Sequence, residues 1–179
     1  MRGKKVKKCK LILDANVIIH LFKIDLWEKV IESYDVLVAG TVRQETKFYE
    51  DLQKKLHTCD LEPYSEKNLI AIFELEPSDL KIFRNKFDPS YLERLDAGEA
   101  ESLAYLLIKE NKDIYICSSD AIVFRILGAL RISEKGISLE EVLQQIGYAK
   151  KLEYCFTKRF REKYSGKGFE EGMYGIGKK

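Results

Sequence analysis

Three short apolar runs constrain this chain most: CKLIL at 9–13, VLVAG at 36–40 and IYIC at 114–117, each followed by a helical pattern rather than by another run. Runs of four or five apolar residues bounded by polar ones read as strands buried on both faces. Strands alternating with amphipathic helices build a mostly parallel sheet, because parallel neighbours need a crossover. An α/β layered fold is therefore expected, and 179 residues allow one compact domain with a real core.

The remaining pattern supplies the helices. Apolar spacing predicts them over 16–22, 26–34, 65–76 and 78–87, with a turn or short helix at 88–95. Thr41 reads as the cap of a helix running to about Lys55, Asp96 as the cap of DAGEAESLAYLLIKE, and Ser138 with Glu141 as a capping box for SLEEVLQQIG. AIVFRILGAL, from 121, is a further helix. The segment 150–164 is a basic helix candidate, and the last fifteen residues, with five Gly, are expected to form a flexible tail. The expected division is a basic segment at 1–10, a domain at 11–149, and the basic helix and tail at 150–179.

The formal charge of +2 hides an uneven distribution: 1–10 carry +6 and 150–179 carry +5, leaving −9 on 11–149. An acidic body with basic ends can hold a polyanion through those ends. No apolar run approaches the 18 or more residues of a membrane span, and MRGKKVKKCK lacks the apolar core of a secretory signal, so a cytoplasmic protein is expected. Cys9, Cys59, Cys117 and Cys155 are too scattered for a zinc site or a disulfide framework and read as buried or surface thiols.

Acids recur where strands end and helices begin. Asp14 follows the first run, Asp120 the third, Glu45 lies early in a helix, and Asp96, Glu99 and Glu101 open another. In a parallel sheet, ligands bind beyond the carboxyl ends of the strands, so Asp14 and Asp120 share one edge. Carboxylates converging there repel one another unless a cation neutralises them, and Mg²⁺ or Mn²⁺ prefers oxygen donors. Singly, each acid has a plainer reading as a helix cap, a turn former or a solvated charge.

LILDANVII (11–19), TVRQE (41–45), LDAGEAESLAYLL (95–107) and YICSSDAIVFR (115–125) together resemble the four motifs of the PIN domain, in order, and GEAE is similar to a subgroup of small prokaryotic PIN proteins of the toxin kind. The resemblance spans about Leu11 to Leu130. It implies a three-layer α/β/α sandwich with a mostly parallel central sheet, a Mg²⁺- or Mn²⁺-dependent ribonuclease, and often a toxin paired with an antitoxin protein. Asp14, Glu45, Glu99 and Asp120 match the acidic quartet that is both catalytic and metal-binding, with Asn16 and Ser118 at supporting polar positions. The third acid is open among Asp96, Glu99 and Glu101. Helix spacing puts Asp96 and Glu99 on one face, which favours Glu99 with Asp96 in support. RISEKGISLEEVL departs from the short strand, turn and helix that usually follow in small PIN toxins.

An acidic pocket repels RNA, so the substrate backbone needs cations outside it. Arg43, Lys47, Arg125, Lys158, Arg159 and Arg161 are the candidates. A homodimer is left open as a partner, and no membrane is expected. Two other classes stand beside the ribonuclease: a PIN-like module that binds nucleic acid or protein without cutting, and a metal-dependent phosphatase. The phosphatase ordinarily wants a second acid two residues after Asp14, where Asn16 stands.

Overall fold

The computed structural model describes residues 9–50, 54–109 and 113–177. The chain runs β1 (Lys10–Leu13), α1 (Ala15–Lys23), α2 (Trp27–Ser33), β2 (Asp35–Ala39), α3 (Gly40–Glu45), β3 (Phe48–Glu50), β4 (Leu56–Thr58), α4 (Glu62–Glu66) and β5 (Ile70–Phe73). It continues with α5 (Pro77–Arg84), α6 (Pro89–Leu92), α7 (Ala97–Lys109), β6 (Ile114–Cys117), α8 (Ala121–Ala129), β7 (Gly136–Ile137), α9 (Leu139–Gln145) and α10 (Lys158–Met173).

Five parallel strands form one sheet in the order β5-β2-β1-β6-β7, and β3 with β4 makes a separate antiparallel hairpin. The alternation of side chains along β1 builds two cores. Leu11 and Leu13 face α1, α2 and α9, whereas Ile12 faces α7, α8 and residues of α5 and α10. All three are fully buried, as a central parallel strand requires. Helices thus cover both faces of the sheet. No helix among the described residues is long and apolar enough to cross a membrane.

Four expectations are corrected. The helix predicted over 65–76 is a short α4 followed by strand β5, which pairs with β2 through Val36↔Ile70 to Ala39↔Phe73. The helix predicted from Thr41 to Lys55 ends at Glu45, is preceded by Ala39 at its cap position, and gives way to the β3–β4 hairpin. RISEKGISLEEVL does contain a short strand, β7, which pairs with β6 before α9 begins.

The fourth correction is the tail. α10 starts only at Lys158, after a loop with a single 3-10 turn over Tyr154–Phe156 where the basic helix is expected from 150, and it runs unbroken to Met173 against α8, with Gly168 and Gly172 taken up by that contact. A Cβ on Gly168 would stand 1.9 Å from the Arg125 carbonyl oxygen, and one on Gly128 would stand 2.1 Å from that of Ser165. Neither helix could approach so closely with any larger residue. Phe160 anchors the start of α10 in the second core. Residues 1–8, most of the basic segment expected at 1–10, lie outside the described residues, as do Lys178 and Lys179.

Candidate active site

Asp14 follows β1 directly, and Asp120 follows β6 after Ser118 and Ser119, so the parallel pairing of these strands brings both acids to one sheet edge. Each caps the helix behind it. Val17 N–H donates to Asp14 Oδ1 at 2.7 Å, and Ile122 N–H donates to Asp120 Oδ1 at 2.9 Å. The other Asp14 oxygen accepts from the Ser118 hydroxyl at 2.6 Å and the Ser119 N–H at 2.9 Å. Ser118 Oγ in turn accepts from the Asp120 N–H at 3.0 Å. Ser118, matched by the resemblance as a supporting residue, thus links the two strand-end acids.

α7 brings a third carboxylate. Glu99 is buried and bonds reciprocally with Asp96: the Glu99 N–H donates to Asp96 Oδ1 at 2.7 Å, and the Asp96 N–H donates to Glu99 Oε2 at 3.2 Å. This is the capping-box arrangement, with Asp in the cap position. Asp96 therefore supports Glu99 while fulfilling its plainer role as a cap.

Asp14, Glu45, Asp96 and Glu99 line one pocket of about 280 Å³, with Asn16 on its wall. Asp120 is absent from that lining, yet its charge acts on Glu99. Burial, reinforced by Asp120 and Asp96, pushes Glu99 up to about 8. Burial also raises Asp14, against the opposing effect of its three hydrogen bonds. Glu45, exposed on the rim, is raised by partial desolvation and by the charges of Asp96 and Asp14.

Glu101 faces elsewhere, as helix spacing predicts. One oxygen accepts from the Thr41 hydroxyl at 2.7 Å and the Thr41 N–H at 3.3 Å, and the other accepts from the Leu75 N–H at 3.1 Å. Gly98 permits the close approach of α7 to α3, since a Cβ there would lie 2.6 Å from Val42 Cγ2. Glu101 thus docks the helix that carries Glu45 onto the helix that carries Glu99. Sequence alone carries no sign of the Thr41 contact.

Among the described residues no three His, Cys, Asp or Glu side chains form a ready-made metal centre. Both oxygens of Asp14 and one oxygen each of Asp96, Glu99 and Asp120 instead accept from N–H and O–H donors. The donor set nonetheless fits a hard divalent cation in kind: it offers oxygen atoms only, and beyond the effect of burial the neighbouring aspartates raise the pKa of Glu45 and Glu99 as uncompensated like charges do.

The expected backbone cations divide into two groups. Arg125 forms two hydrogen bonds to Glu171, at 2.7 and 3.1 Å, and lies over the Tyr91 ring. Arg161 forms two to Glu141, at 2.8 and 2.9 Å. Both guanidinium groups are committed within the fold, which departs from the role expected of them. Arg43 pairs with Glu62 at 2.5 Å while half-exposed, and Lys158 lies 3.7 Å from Glu162 in the open. Lys47 and Arg159 are exposed.

No protein-family model, no curated protein and no solved structure matches this chain. The pocket and the motif resemblance are what speak for its function.

Proposed function

We propose that this chain is a ribonuclease of the PIN type that hydrolyses RNA phosphodiester bonds with Mg²⁺ or Mn²⁺ held by Asp14, Glu45, Glu99 and Asp120. The observation that carries the reading is the convergence of Asp14, Glu45, Asp96 and Glu99 on one pocket at the carboxyl edge of a parallel sheet. The raised pKa values of Asp14, Glu45 and Glu99 fit a site made to receive positive charge. A bound divalent ion supplies a water of lowered pKa and a counter-charge for the phosphate oxygens.

The residues of the chain do the positioning. Asp14 is pinned by Ser118 and Ser119, so its free electron pairs point from a fixed place. Glu45 stands on the rim, open to solvent and to an approaching strand. Asn16 offers an amide on the same wall, able to donate to a phosphate oxygen.

The test is cleavage of single-stranded RNA with and without Mn²⁺ by the wild type, Asp14→Asn and Asp120→Asn. Asn keeps the capping oxygen, so both variants are expected to keep the circular-dichroism spectrum of a folded chain, with a lower melting point for Asp14→Asn, whose amide nitrogen replaces the oxygen that accepts from Ser118 and Ser119. Loss of metal-dependent cleavage in both supports the assignment. Full activity in both overturns it.

One observation favours a second reading. Because both oxygens of Asp14 and one each of Asp96, Glu99 and Asp120 already have donors within the chain, the same fold could bind nucleic acid or protein without cutting it. RNA binding with no cleavage in Mg²⁺ or Mn²⁺ is its signature.

A further inference from the structure

A second cleft, of about 240 Å³, adjoins the acidic pocket and shares two walls with it, Asn16 and Ile19. It lies between α1, which adds His20 and Lys23, and the 150s segment, which contributes Phe156, with Ser119 from the turn after β6. Its make-up differs from that of the pocket next door. Ile19 and the His20–Phe156 pair, with ring centroids 4.3 Å apart and planes tilted by 32°, give it an apolar side, while Asn16, Ser119 and the exposed Lys23 give it hydrogen-bonding groups and a positive charge.

We propose that this cleft holds the nucleotide next to the scissile phosphate of a single-stranded RNA, with the base against Ile19 and the aromatic pair and the following phosphate at Lys23. The proposal rests on the ribonuclease reading of the acidic pocket. Three observations support it. First, Asn16 and Ile19 belong to both cavities, so the cleft stands directly beside the acids, one residue wall away. Secondly, Ser119 contributes to both places: its N–H holds Asp14, and the residue lines the cleft. Thirdly, Lys23 is an exposed cation of the cleft in the last turn of α1, and no acid within α1 opposes it. Glu153 also lines the cleft, so the charge there is mixed. This favours a nucleotide, with a base as well as a phosphate, over a bare anion. Burial keeps His20 below its ordinary pKa, so near neutral pH its ring is an uncharged face suited to a base.

The experiment compares Lys23→Glu with Lys29→Glu in the full chain. Lys29 is an exposed lysine of α2 outside both cavities, and the two variants change net charge equally. Steady-state cleavage of a fluorescent single-stranded RNA 12-mer is followed in Mn²⁺ at several KCl concentrations. Lys23→Glu is expected to raise KM about tenfold and to lower the salt slope of log(kcat/KM) by about one, the effect of losing one phosphate contact. Lys29→Glu is expected to match the wild type. Equal behaviour of the two variants, with an active wild type, overturns the subsite and leaves the ribonuclease standing. A wild type that cuts no RNA in Mn²⁺ or Mg²⁺ overturns the ribonuclease reading and the subsite with it.

Discussion

The Glu101 carboxylate and Thr41, sixty positions apart, form the bond that seats α3 on α7: the Thr41 hydroxyl donates to Glu101 Oε2 at 2.7 Å. Three donors converge on this buried carboxylate, and without it all three lose their partner. Glu101→Ala is therefore expected to destabilise the fold by roughly 3 kcal/mol, and Thr41→Val by about half as much, because it removes only the hydroxyl. Urea unfolding followed by circular dichroism measures both. A Glu101→Ala chain as stable as the wild type would show that the clamp is not holding α3.

Glu99 makes stability depend on pH in an unusual direction. Its carboxyl titrates at about 8 in the fold against an ordinary value of 4.5, so between these values the folded chain keeps a proton that the unfolded chain has released. Its contribution is therefore full below about 4.5 and is lost as pH rises through 8, with a size of a few kcal/mol. Melting points in metal-free buffer should fall from about pH 5 to about pH 8 in the wild type and fall less in Glu99→Gln. Parallel slopes in the two proteins would remove Glu99 as the cause.

Cation binding should release protons for the same reason. A divalent ion favours the charged forms of Glu99, Asp14 and Glu45, all of which are raised in its absence. Calorimetric titration with Mn²⁺ near neutral pH in buffers of different ionisation enthalpy is expected to show net proton release, and Glu99→Gln to show less.

Two glycines of α10 predict opposite outcomes from the same substitution. Nothing lies within 4 Å of a Cβ placed on Gly166, whereas one on Gly168 meets the backbone of Arg125. Gly166→Ala should stabilise the helix by about 0.5–1 kcal/mol through propensity alone. Gly168→Ala should lower the melting point clearly, since backbone cannot yield as a side chain can. Equal melting points for the two variants would contradict the close crossing of α8 and α10.

Arg125 and Arg159 separate cations that hold the fold from cations free to meet a polyanion. Glu171 receives Arg125 through two bonds and the Tyr91 hydroxyl through a third, so Arg125→Gln should destabilise by about 1–3 kcal/mol. It should leave the salt slope of RNA binding unchanged. Arg159→Gln, on the exposed surface, should do the reverse and reduce that slope by about one.

Much of the frame was legible because local signals agreed with the final packing. β1, β2 and β6 are short apolar runs buried on both faces, and Asp14, Asp96, Asp120 and Ser138 carry out the capping that their positions announced. The errors fell where a local pattern fits two structures. In TKFYEDLQKKL the helix-favouring composition is overridden by a hairpin of two three-residue strands, whose outer residues Phe48 and Leu56 are exposed. NLIAIFEL is an apolar run of helical length at the sheet edge, where only Ile70 is buried among the strand's four residues. Glycines 166–177 suggest flexibility by composition, and the need for a thin helix face at Arg125 and Ala129 is visible only once α8 lies beside them. At the site, the acids themselves could be found from the strand ends. The Thr41–Glu101 clamp and the cleft beside Asn16 could not, because they depend on how non-adjacent elements meet.

The central position of β1 has a consequence for how the molecule comes into being. The strand nearest the start of the chain is the one that must wait longest, since its inner neighbour β6 and the Ser118 hydroxyl that grips Asp14 lie 104 positions further on. During synthesis Asp14 can be held by Val17 at once, but it stays without Ser118 and Ser119 until β6 has been made. A fragment that stops short of β6 leaves β1 with an unpaired edge and lacks the second strand-end acid, so the edge on which Asp14 and Asp120 meet is never built.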